Sequence, residues 1–118
     1  MSKILVVTAA IDPKLKAALE ASHRSYDVVP PIQNNAMRAM LVDFDGAAVV
    51  VDVRGMPLDS ALSLLGEVHG MRVGRDFQLI VELGRGPVAT GHVQHLANTT
   101  LLEADMPARF ETVVNKLL

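Results

Sequence analysis

The chain has 118 residues, half of them hydrophobic, with no cysteine and a formal net charge of −2. That length supports one domain with one core, and the missing cysteine excludes disulfides, thiolate metal sites and a cysteine nucleophile. Acids and bases are mixed along the chain, leaving no basic patch for nucleic acid or an anionic membrane. No apolar run approaches the ~20 residues that span a bilayer, and Met1-Ser2-Lys3 leads straight into strand-like residues. Neither membrane insertion nor a signal peptide is expected, and a cytoplasmic location is.

Residues 3–9 (KILVVTA) read as a buried first strand. Asp12 is an N-cap candidate with Pro13 at the first helical position, and Leu15, Ala18, Leu19 and Ser22 mark one face of a short helix. Residues 26–29 form a second strand, which Pro30-Pro31 stops and assigns to the sheet edge. Asn34-Asn35 can cap a second helix, in which Met37, Met40, Leu41 and Phe44 recur at helical spacing. Asp45-Gly46 is a turn. The apolar run from Ala47 to Val51 has no polar alternation, as expected of a central strand covered on both faces. It ends in Asp52, and Arg54-Gly55-Met56-Pro57 breaks it.

Asp59 or Ser60 opens a third helix, with Ala61, Leu62, Leu64, Leu65 and Val68 inward and a close near Gly70. Residues 77–83 (FQLIVEL) form a fourth strand and residues 84–87 a loop. A short fourth helix over 88–97 is weakened by Gly91. Residues 99–102 are a fifth strand, and Pro107 opens a last helix with Phe110, Val113, Val114 and Leu117 as its stripe. Strand–helix alternation over short connections implies right-handed crossovers and a parallel sheet, in a single α/β domain over 1–118. The chain holds only one tyrosine, three phenylalanines and no tryptophan, which suits such a layered fold.

With these elements placed, the chain resembles a receiver domain of the response-regulator (CheY-like) family, a flavodoxin-like doubly wound five-stranded parallel sheet, (βα)5. The resemblance covers nearly all 118 residues. The family pattern has an acidic pair after the first strand, a phosphorylatable Asp ending the third, Thr or Ser ending the fourth, and Lys-Pro after the fifth. Here Val6-Val7-Thr8-Ala9 stands where the acidic pair would, and Asp52 takes the phosphoacceptor position. Met56-Pro57 echoes the Met-Pro that follows it. Glu82 falls at or beside the Thr/Ser position, and Glu103 near the Lys. The separations Thr8–Asp52, Asp52–Glu82 and Glu82–Glu103, at 44, 30 and 21 positions, fit the family.

By that resemblance, the acidic pair and the phosphoacceptor of an intact receiver hold a Mg²⁺ ion, and the Lys neutralises the acyl phosphate. Thr8 and Ala9 cannot replace two carboxylates, Glu103 supplies negative charge where the Lys would stand, and the Thr switch is missing. The implied protein is an atypical receiver, or pseudo-receiver: not an enzyme, without metal or cofactor, working through phosphorylation-independent protein contact or dimerisation. The face built from the fourth helix, fifth strand and fifth helix is the implied interface, carrying His92, His95, Arg109 and Lys116. Domains of this kind stand at the N-terminus of larger bacterial proteins, among them pilus-assembly localisation ATPases, diguanylate-cyclase-like regulators and hybrid kinases. The chain is therefore expected to be either a whole small protein or such a domain.

Two rival functions use the same crevice. One is a phosphoacceptor receiver of a two-component system, modified at Asp52 with Mg²⁺ held by Asp52 and Glu82. The other is a small nucleotide- or ligand-binding domain, for which Arg54 and Arg85 are the candidate bases. Apart from any such role, Asp52 is expected to hydrogen-bond loop amides, and Glu82 to be relieved by Arg54 or Arg85. His92 and His95, three apart on a helix, could share a metal, but no third ligand lies near and they read as surface residues.

Overall fold

The computed structural model describes residues 3–9, 11, 13–21, 23–31, 41, 44–54, 56–71, 77–84, 88, 90–96, 99–102, 109–110 and 112–113. Its elements in chain order are β1 (Ile4–Val7), α1 (Pro13–Ala21), β2 (Tyr26–Val29), β3 (Ala48–Asp52), α2 (Leu58–Met71), β4 (Gln78–Leu83), α3 (Thr90–Val93) and β5 (Thr99–Leu102). The five strands form one sheet in the order β2-β1-β3-β4-β5, every neighbouring pair parallel. This is the flavodoxin-like, doubly wound order.

The central strands are buried along their whole length, which is why their sequences are continuous apolar runs. Side chains alternate between two cores. Leu5, Val7, Val49, Val51, Leu79 and Val81 face Ala61, Leu64, Leu65 and Val68 of α2 and Val93 of α3. Ile4, Val6, Ala48, Val50 and Ile80 face Leu15, Ala18 and Leu19 of α1, together with Phe110. One sheet thus serves two helical layers, and the described apolar residues of β1, β3 and β4 belong to one or the other by parity.

β2 lies at the edge, as Pro30-Pro31 predicts, and it is the least buried strand whose side chains are described; Val28 is 43% exposed. Lys3 beside β1 pairs across to Asp27 of β2, Nζ to Oδ2 at 2.7 Å. The hydrogen bond to Asp27, and then its charge, raise the Lys3 ammonium above its ordinary 10.5.

Several predicted elements shift. α2 begins at Leu58, ahead of the predicted Asp59 or Ser60, because the Pro57 carbonyl already accepts from the Ala61 amide at 3.0 Å. The fourth helix was expected over 88–97 and is only Thr90–Val93; residues 94–96 are a turn in which the Leu96 amide bonds back to Val93 O at 2.9 Å. Gly91 lowers helix propensity there, and the tighter bond replaces the next helical turn. His69 of α2 fixes this turn, its Nδ1 standing 3.0 Å from Leu96 O. His92 therefore lies in α3 and His95 in the turn after it, not on one helix.

In the predicted second helix, Leu41 is helical and fully buried, whereas Asn34, Asn35, Met37 and Met40 lie outside the described residues. Phe44 is not helical. Its amide donates to Leu41 O at 3.0 Å, and its ring meets Phe77 edge-on at 5.8 Å. Asp12 and Ser22 are likewise outside the described residues, as are Pro107, Val114, Lys116 and Leu117; Arg109, Phe110, Thr112 and Val113 are helical.

Candidate functional site

In doubly wound sheets ligands bind beyond the carboxyl ends of the strands, where the strand order reverses. Here the reversal lies between β1 and β3. Thr8 follows β1 directly, held by its amide on Val29 O at 2.9 Å. Asp52 is the last residue of β3, and the β3–β4 register sets it opposite Glu82. After Asp52 the strand gives way to a turn, with the Met56 amide on Val53 O at 3.1 Å. That turn sends Arg54 back toward the two acids.

The four side chains form one cluster. Thr8 Oγ1 donates to Asp52 Oδ2 at 2.8 Å. Arg54 Nε donates to Asp52 Oδ1 at 2.9 Å, and Arg54 Nη2 to Asp52 Oδ2 at 2.9 Å. The backbone amide of Arg54 adds a bond to Asp52 Oδ1 at 3.0 Å. Arg54 Nη2 also stands 3.0 Å from Glu82 Oε2. Thr8, Asp52 and Glu82 are 3%, 7% and 1% exposed, and the Arg54 side chain 15%. Two carboxylates this deep repel each other unless a cation stands beside them; the guanidinium is that cation.

An ionised carboxylate offers about four acceptor positions on its two oxygens. The Asp52 oxygens receive four donors, two on each. The residues do not fit the Mg²⁺ ion that an intact receiver holds. The Thr8 hydroxyl is turned onto Asp52, Ala9 is an exposed methyl, and the guanidinium fork covers the Asp52 oxygens that a metal would need. Among the described residues, no three His, Asp or Glu side chains converge as a metal-ligand set.

Of the crevice residues read from the sequence, the structure brings together Thr8, Asp52, Arg54 and Glu82 and leaves Ala9 outside at the surface. Glu103 and Arg85 lie outside the described residues. On the expected interaction face, His92, His95 and Arg109 are exposed, and Lys116 is outside the described residues. The sequence offers Arg54, with Arg85, as a base that relieves Glu82, and the structure pairs Arg54 with Glu82. What the sequence does not offer is the fork of Arg54 on Asp52, which makes it the centre of the cluster. The available signal was its place two residues after Asp52, just past the strand end, where a turn lets a long side chain double back.

No protein-family profile and no curated protein sequence matches the chain. Solved structures do. The chain superposes on the receiver domain of NtrC4 from Aquifex aeolicus with a TM-score of 0.73 at 21% identity, covering 99% of this chain and 96% of that one. The chemotaxis protein CheY4 of Vibrio cholerae matches with a TM-score of 0.69 at 13% identity, over 100% and 99% of the two chains. A protein of Burkholderia pseudomallei described as pilus assembly-related matches with a TM-score of 0.68 at 14% identity, over 99% and 89%. The fold is that of the CheY-like receiver domains of response regulators. Among the described residues no helix is long and apolar enough to cross a membrane.

Proposed function

We propose that the chain is a pseudo-receiver: a non-enzymatic signalling domain that acts by contact with a protein partner or a second copy of itself, without phosphorylation. The observation that carries this reading is the state of Asp52. A phosphoacceptor carboxylate needs a free lone pair for attack and a cation to offset the incoming charge. Here both oxygens already accept from Thr8 and Arg54, two donors each, and the Arg54 charge is already shared between Asp52 and Glu82, its partner across the sheet. The surface that carries His92, His95 and Arg109 is the proposed contact face, a mixed surface suited to a modest interface with a polar rim. Likeness to a pilus assembly-related protein supports a role as a targeting or assembly module within a larger protein.

Intact-mass spectrometry after incubation with a small phosphodonor and Mg²⁺, with sedimentation velocity on the same samples, tests the reading. The expected result is an unchanged mass and an unchanged sedimentation coefficient. A phosphoryl adduct that disappears in Asp52→Ala would restore a phosphoacceptor. Charge reversal at Arg109 together with His95→Glu is expected to weaken partner capture or self-association while leaving the thermal midpoint near that of the wild type.

A further inference from the structure

We propose that Arg54 is the resident cation of the crevice, doing with a side chain what a bound divalent ion does elsewhere, and so sealing the site against metal. The inference rests on the functional reading above and deepens it by naming what closes the site. It starts from the register: Asp52 and Glu82 are direct neighbours on adjacent parallel strands, both almost fully buried. Such a pair requires a positive charge close to both acids, and the distances from Arg54 meet that requirement, 2.9 Å to each oxygen of Asp52 and 3.0 Å to Glu82. The contact with Asp52 is two-pronged, Nε to one oxygen and Nη2 to the other, the geometry that only a guanidinium provides. The Arg54 amide and the Thr8 hydroxyl fill the remaining positions on the same carboxylate. A metal ion could enter only by breaking that fork. The cation also bridges β3 to β4, while Thr8 ties the end of β1 to the same carboxylate, so one cluster clamps three strand ends.

The test is nitrogen-15 NMR of the Arg54 side chain in the full chain, assigned with an Arg54→Lys variant, alongside a charge cycle read by thermal denaturation. A locked guanidinium gives a slowly exchanging Nε–H signal that millimolar MgCl₂ does not move. Arg54→Met is expected to lower the midpoint by roughly 10 °C, because it leaves two buried carboxylates without their cation. Adding Asp52→Asn and Glu82→Gln to that variant is expected to restore most of the loss. A fast-exchanging Arg54 signal, a shift on adding Mg²⁺, or a Mg²⁺-dependent rise in the wild-type midpoint would overturn the proposal. So would a charge-neutral triple variant as unstable as Arg54→Met, which would show that only the packing of the Arg54 stem mattered. Should Arg54→Met fail to fold, the NMR arm on the intact protein decides alone. A phosphoryl adduct on a protein whose Arg54 signal is locked would sink the functional reading separately. A mobile Arg54 with no adduct would sink only this one.

Discussion

Gly46 stands where a side chain has no room. A Cβ there would come 2.6 Å from the Lys3 carbonyl oxygen and would collide with the Phe44 ring. The same backbone approach lets the Ala47 amide reach Lys3 O at 2.8 Å, so the collision cannot be relieved without loosening β3 from β1. Gly46→Ala is expected to cost about 1–3 kcal/mol in chemical denaturation, the range of overpacking substitutions; a neutral result would mean that the turn relaxes freely. His23 presents the opposite case. Its φ of 55° is left-handed, in the turn after α1. His23→Gly is expected to leave stability unchanged or raise it by up to about 1 kcal/mol, since only a residue with Cβ is strained there. At this scale the sequence was partly legible. Asp45-Gly46 reads as a turn from its chemistry, but the need for glycine comes from the distant Lys3 carbonyl, which no local pattern shows. Thr8 was legible as a poor metal ligand and not as a donor to Asp52, because that bond spans 44 positions.

Among the elements, the C-terminal helical residues matter more than their number suggests. Phe110 is fully buried and belongs to the same core as Ile4, Val6, Val50 and Ile80 of the sheet and Leu15, Ala18 and Leu19 of α1. Phe110→Ala is expected to cost about 3–5 kcal/mol, a large share of a small domain's stability, read by urea denaturation. A loss below about 1 kcal/mol would mean that the layer closes without it. At the sheet edge, the exposed Lys3–Asp27 pair is a modest link. Lys3 is raised in the folded state, so its contribution is fully present below about pH 10.5 and is lost as pH rises through its higher folded value. The gap in thermal midpoint between wild type and Asp27→Asn should hold from neutral pH to that point, close above it, and close in molar salt. A gap that survived molar salt would point to packing instead of charge. Strands were the most legible elements, because runs such as AVVVD are buried on both faces and need no periodicity to be read. Short helices were least so: α3 ends where a bond between His69 and Leu96 takes over, a contact between segments 27 positions apart.

For the molecule as a whole, two cores share one sheet, and successive residues of Ile4–Val7 in β1, of 48–51 in β3 and of 79–81 in β4 fall in alternate cores. Neither layer can melt while the other keeps its strands. Unfolding followed by far-UV circular dichroism and by the fluorescence of Tyr26, the lone tyrosine, should therefore give coincident midpoints. An earlier transition at Tyr26 would show the edge strand β2 opening as a unit of its own. The architecture was legible because alternation of strand and helix leaves few topologies. The chemistry of the crevice was legible as substitutions against the receiver pattern and as single contacts, the amide on Asp52 and the arginine on Glu82. It was not legible as one cluster, since that depends on how three strand ends meet. That meeting has a consequence for how the domain responds to its surroundings. A bound ion is occupied in proportion to its concentration, and chelation or dilution empties its site. Arg54 is tethered two residues from Asp52, so its local concentration is set by the backbone and not by the medium. The crevice should hold the same charge balance in magnesium-poor and magnesium-rich conditions alike.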